Sequence, residues 1–162
     1  MKKLHSDILQ MLAGDGRLSA KDMAAALGED AAVVRGAVEE LEKSGVILKY
    51  GVVVDGEKIG KDCVQALIEV RVTPKSEKGF DEIAADIGEF EEVKDLYLMS
   101  GAYDLCIIIE GKTLREVALF VSEKLSRFES VLSTATHFIL KKYKIDGASV
   151  RDSGNKRLAV QA

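Results

Sequence analysis

The chain is poor in the residues that carry chemistry. Its only histidines are His5 and His137, and it contains no Gly-x-Ser-x-Gly elbow, phosphate loop or dinucleotide fingerprint, so no enzymatic activity is expected. Cysteine is limited to Cys63 and Cys106, which lack the paired spacing of a zinc site or redox motif; buried free thiols are expected, with no metal and no cofactor. No apolar run approaches the roughly 20 residues of a membrane span, so no membrane partner is expected. The opening Met1-Lys2-Lys3-Leu4-His5-Ser6-Asp7 turns polar too soon for a signal peptide, which makes the cytoplasm the expected compartment. An excess of base is missing too. A net charge of −4 argues against a protein that coats nucleic acid non-specifically, and leaves open selective, weak or dimer-dependent binding.

What is present is a chain of 162 residues, 47% hydrophobic, long enough for one ordinary domain or two small ones with a real core. Leu4, Ile8, Met11 and Leu12 recur at helical spacing before Gly14-Asp15-Gly16, a run tolerant of left-handed backbone that should stop the first helix. Ser19, three residues before Asp22, predicts a capped second helix with Met23, Ala24 and Leu27 inward and Gly28 at its end. Asp30 is a good N-cap for a third helix, in which Val34, Ala37, Val38 and Leu41 recur at steps of three and four up to Gly45. The branched run from Val46 to Val54 then favours extended structure. Three helices followed by strands make a winged helix-turn-helix. In such a unit the third helix enters the major groove, with Ala31, Ala32, Arg35, Gly36 and Glu39 outward. Arg35 can read a guanine, Ala31 and Ala32 can touch thymine methyls, Gly36 lets a backbone approach closely, and Lys49 can reach a phosphate from the wing. Against this stands the charge of Asp30 to Lys43, four acids to two bases. The lesser alternative is that the three helices are only a packing or dimerisation module.

Further on, Ala66, Ile68, Val70 and Val72 alternate with other residues in a strand ending at Pro74. Phe80, Ile83, Ala84 and Ile87 mark a helix opened by Ser76 and closed by Gly88, and a second strand is predicted from Val93 to Ser100. The short Gly101-Ala102-Tyr103-Asp104 connection leads into Leu105 to Ile109, which implies an antiparallel hairpin. Thr113 and Glu116 have capping-box spacing for a helix with Leu114, Val117, Ala118, Val121 and Leu125 inward, and a last strand should run from about Val131 to Lys144. The order β-α-β-β-α-β describes a ferredoxin-like sandwich, so the fold class is α+β. Ile107, Ile109, Phe138 and Leu140 alternate with other apolar residues, which points to inner strands buried on both faces and a homodimer packed sheet against sheet. The division expected is 1–50 for the winged helical unit, 51–62 for a strand and hinge, 63–147 for the sandwich and 148–162 for a mobile tail.

Asp7-Ile8-Leu9 with Leu12, Gly16-Arg17-Leu18-Ser19, Leu41 to Ile47, Ile59-Gly60, Gly101 to Asp104 and Thr134-Ala135-Thr136, in this order and spacing, resemble the Lrp/AsnC (feast/famine) transcription regulators over about residues 4 to 145. The resemblance implies operator binding as a dimer, further assembly into octamers, and a small effector, usually an amino acid, held between dimers near the Gly-x-Tyr-Asp turn. Ser100, Gly101, Ala102, Tyr103, Asp104, Thr134 and Thr136 are then the effector residues. Open amides near Gly101 suit a carboxylate, Asp104 an ammonium, the threonine hydroxyls further hydrogen bonds, and Tyr103 a pocket wall or a subunit contact. Equally, Gly101 can make the turn and Asp104 cap it. The chain departs from the family where Ala37-Val38-Glu39-Glu40-Leu41-Glu42 replaces a stretch that is often basic, and where Glu29-Asp30-Ala31-Ala32 replaces a helix opening often rich in Ser or Thr. One alternative is therefore a metabolite-sensing oligomer with weak or lost operator binding that acts through a partner protein. A second is enzymatic, since siroheme decarboxylase subunits share the architecture.

Overall fold

The computed structural model describes residues 2–60, 62–73 and 79–150. The chain divides into two compact units at Val53 and Val54. In the first, α1 (Lys3–Gly14), α2 (Ala20–Leu27) and α3 (Ala31–Lys43) enclose Ile8, Met23, Ala24, Val34, Ala37 and Leu41. Local chemistry sets the ends. Ser19 accepts from the Asp22 amide at 3.2 Å while Asp22 accepts from the Ser19 amide, a capping box that opens α2. Asp30 accepts from the Ala32 amide at 2.7 Å and opens α3. That helix ends in a Schellman turn: Gly45 takes φ +70°, and the Val46 amide reaches back to the Leu41 carbonyl at 3.0 Å. The first helix stops differently from expectation. Asp15 is extended, its carboxylate grips the Arg17 guanidinium at 2.9 Å, and neither Gly14 nor Gly16 is left-handed.

The second unit is a four-stranded antiparallel sheet in the order β2-β3-β1-β4, made of β1 (Val64–Val72), β2 (Val93–Leu98), β3 (Leu105–Gly111) and β4 (Val131–Phe138). Helices α4 (Phe80–Gly88) and α5 (Leu114–Leu119) bury one face, where Ile83, Ile87, Val117, Phe120 and Leu125 meet Ala66, Ile68, Val70, Leu105, Ile107 and Ile109. This is the ferredoxin-like sandwich. The opposite face, carrying Leu67, Glu69, Tyr97, Cys106, Ile108 and His137, lies away from that core.

Several expectations are corrected. Among the described residues no ladder forms between Val46 and Asp55, because the branched run has no neighbouring strand in its own chain; Leu48 and Val52 stand 88% and 81% exposed. Thr113 accepts from the Glu116 amide, but α5 then widens into a π-helical turn, Phe120–Lys124. The wider turn carries Phe120 as well as Leu125 into the core, while Leu114 and Ala118 stay exposed. The last strand stops at Phe138, and Leu140, 94% exposed, is not part of the sheet. Asp146-Gly147, with φ of 43° and 82°, turns a short hairpin of β5 (Lys144–Ile145) and β6 (Ala148–Ser149), so Ala148 and Ser149 are paired residues rather than tail. Cys106 is buried as expected but Cys63 only half so. The proposed helix opener Ser76, the strand-ending Pro74 and the tail from Arg151 lie outside the described residues.

Candidate nucleic-acid interface and effector turn

At about 100° per residue, the burial of Val34, Ala37 and Leu41 turns Ala32, Gly36, Glu39 and Lys43 to the opposite side of α3, with Arg35 on one flank. Ala32, Arg35 and Gly36 are exposed; Ala31 is not on this face, because its phase brings it onto the core beside Val34. Arg35 makes no ion pair among the described residues, so its five donors are free for an outside partner. Gly36 sits inside the helix where a Cβ would meet nothing within 4 Å, so no neighbour in the head requires a glycine there. Lys49 is exposed in the unpaired segment that follows α3.

The acids of this helix are mostly occupied. Glu40 lies 3.8 Å from the Lys2 ammonium and 3.5 Å from His5 Nε2, and Glu42 accepts from the Tyr50 hydroxyl at 2.9 Å. Burial, and then the bond to Glu42, raise the Tyr50 phenol above its usual value. That bond also fixes the segment carrying Lys49 against α3, over a cleft lined by Gly16, Arg35, Glu39 and Tyr50.

In the sandwich, the connection between β2 and β3 is held at three points. The Met99 amide donates to the Asp104 carbonyl at 2.8 Å, the Asp104 amide to the Val70 carbonyl at 3.0 Å, and Arg71 Nε to the Ala102 carbonyl at 2.8 Å. The ladder between β1 and β3 ends at the Val70–Leu105 pair, so the Val72 amide lies beyond the end of β3, and Asp104 Oδ2 accepts from it at 2.9 Å. Asp104 is thus a ladder extension first. Ser100, Gly101 and Ala102 are exposed, and Gly101 has neither a positive φ nor any atom within 4 Å of a built Cβ, so the turn itself does not require glycine. Tyr103 folds back over Cys106 on the open sheet face; burial, with the nearby thiol and Glu69, raises its phenol, and burial raises the Cys106 thiol. Thr134 pairs with Val70 and Thr136 with Ile68, so β1 lies between both threonines and Asp104, two strand spacings or about 10 Å across the sheet, with Thr136 further away along it. One chain does not bring the two halves of the expected effector site together.

The model of the Lrp/AsnC ligand-binding domain matches residues 65–149, and that of a winged helix-turn-helix DNA-binding domain matches residues 1–47. The chain belongs to the Lrp/AsnC family. It is a DNA-binding transcription regulator with a ligand-binding domain. This Lrp/AsnC regulator is 45% identical to the uncharacterized HTH-type transcriptional regulator YugG of Bacillus subtilis, over 96% of this chain and 95% of that one. It is 31% identical to the HTH-type transcriptional regulator LrpA of Pyrococcus horikoshii, over 85% of this chain and 94% of the relative. A transcriptional regulator of Neisseria meningitidis, solved as its L-Met complex, shares the fold with a TM-score of 0.68 at 22% identity, covering 90% of this chain and 93% of that one.

Proposed function

We propose that this Lrp/AsnC regulator reads operator DNA with Ala32, Arg35 and Gly36 in the major groove and Lys49 on a phosphate. Ala31, in the first turn of α3, packs against the core of the head instead. The observation that carries this reading is Gly36: a helix-interior glycine costs about 1 kcal/mol relative to alanine, nothing in the head requires it, and it stands on the face where a groove would pass. Each head offers few bases, so affinity comes from several heads acting together. A homodimer packed through the open sheet face, and further assembly with an octamer favoured, supply those copies; Leu67, Ile108 and Tyr97 on that face support the pairing. The functional division is 1–50 for reading, 51–62 for the hinge and 63–147 for effector binding and assembly, in the cytoplasm and without catalysis.

The effector is an amino acid, as in the Neisseria complex. Ser100, Gly101, Ala102 and the remaining oxygen of Asp104 hold it from one chain, and Thr134 and Thr136 act from another, because β1 keeps the two groups apart within one chain. Tyr103 belongs to the subunit contact. Effector then shifts DNA affinity by binding the assembly states unequally. The test is a mobility shift at low salt with the oligomer and the DNA upstream of its own gene, repeated with single amino acids. A shift that one amino acid alters is expected; absence of any shift, with or without the panel, refutes operator binding and favours the partner-dependent sensor.

A further inference from the structure

Among the acids of α3, Glu39 differs from the other two in its second half. Glu40 turns to Lys2 and His5, and Glu42 to Tyr50, on the flanks of the helix. Glu39 stands in line with Ala32 and Gly36, and its one ion pair among the described residues is a 3.9 Å contact with Lys43, both side chains more than half exposed. Such a pair, like that of Glu40 with Lys2 at 3.8 Å, is weak and readily exchanged, so it is the outward direction of Glu39 that sets it apart. We propose that Glu39 is a specificity residue that accepts a hydrogen bond from the exocyclic amine of a cytosine in the major groove, beside the guanine read by Arg35. The inference rests on the reading of α3 as the DNA-reading helix.

The chemistry is selective because a carboxylate only accepts. Cytosine presents an amine donor on its major-groove edge, guanine presents two acceptors, thymine an acceptor and a methyl, and adenine a donor beside an acceptor. Glu39 therefore rewards one base and is repelled by most others, and it adds a like-charge penalty wherever phosphates approach without the amine to offset it. Placing an acid on the outward line weakens indiscriminate binding and sharpens choice, which accounts for an acidic reading helix in a chain of net charge −4. Arg35 and Glu39 are four residues apart, a rise of about 6 Å along the helix, so the cytosine should lie about one to two base pairs from the guanine.

The test is selection from a randomised duplex pool by the full-length protein, by Glu39→Ala and by Glu39→Gln, followed by titration of single-base variants of the selected site. The wild type should select cytosine at one position per half-site with at least about 5-fold discrimination. Glu39→Ala should lose preference there alone and bind unrelated DNA more tightly. Glu39→Gln should change the preferred base to adenine, whose donor and acceptor match an amide. Preferences retained elsewhere in the motif show that each variant is folded and docked. An unchanged motif in both variants overturns the role of Glu39 and leaves DNA reading intact; no motif selected by the wild type overturns both.

Discussion

Replacing Gly36 by alanine should make the protein more stable and worse at its task. The residue lies in the interior of α3 with a negative φ, and a Cβ added there meets no atom within 4 Å, so alanine enters without strain. Alanine is favoured over glycine in a helix interior by about 0.8–1 kcal/mol, partly because the unfolded chain loses fewer states. For a domain of this class 1 kcal/mol corresponds to a rise of about 4–8 °C in the unfolding midpoint of the head. On DNA the same methyl acts oppositely. If a base edge or sugar packs against the bare backbone, a Cβ projecting about 1.5 Å pushes the helix outward, and hydrogen bonds from Arg35 lengthen past the range where they hold. Operator affinity should fall at least about 10-fold, a change of about 1.4 kcal/mol. Thermal unfolding followed by circular dichroism and fluorescence anisotropy on labelled operator, both with the full-length oligomer, give the two numbers. A stabilised variant with unchanged operator affinity would refute the claim that DNA passes over Gly36; a destabilised one would refute the claim that the position is free of neighbours.

Asp104→Ala should cost about 1–3 kcal/mol by denaturant unfolding, since the Val72 amide loses its acceptor, whereas Asp104→Asn keeps an oxygen there and should retain stability while weakening amino-acid binding measured by calorimetry. Equal loss of stability in both variants would show that the charge, and not the acceptor, holds the turn. Gly101→Ala should leave stability within about 0.5 kcal/mol, because its methyl meets open space, yet reduce effector affinity; unchanged calorimetry would remove Gly101 from the site. The Asp15 carboxyl, held by Arg17 below its ordinary 3.8, should titrate at about 2 by NMR and return toward the ordinary value in Arg17→Ala. Because its folded value is the lower one, whatever this exposed pair adds to stability is present above pH 3.8 and lost as pH falls through about 2.

The features legible in the sequence are those whose partners lie within a few residues. Ser19 with Asp22, Asp30 with Ala32, and Thr113 with Glu116 close hydrogen bonds inside one turn, and each opens its helix as the spacing implies. The alternation of Ala66, Ile68, Val70 and Val72 fixed a buried face because period two leaves no other solution. Val46 to Val54 has strand composition, but a strand exists only with a partner, and none lies beside it among the described residues. The π turn in α5 answers a packing demand: Phe120 and Leu125 must both reach the sheet, and regular helical phase would separate them. The Asp146-Gly147 turn was readable, and the polar residues after it hid the signal. At the effector turn, sequence order placed Asp104 and Thr134 in one motif set, whereas the strand order β3-β1-β4 puts β1 between them.

The same distinction resolves the sign of charge on α3. Counted along the chain, the helix is acidic, yet charge acts through space and falls off over about 8 Å at physiological salt. Lys2 offsets part of the charge of Glu40, Tyr50 donates to Glu42 without neutralising it, and both acids stand on the flanks, so the charged groups that point outward from the face are Arg35, Glu39 and Lys43. Two bases and one acid on that face suit a reader of weak individual affinity and real selectivity. The acidic count therefore does not by itself argue for a retired recognition helix; it fits the proposed head, whose grip comes from the number of copies and whose choice of site comes from the one acid on the outward line.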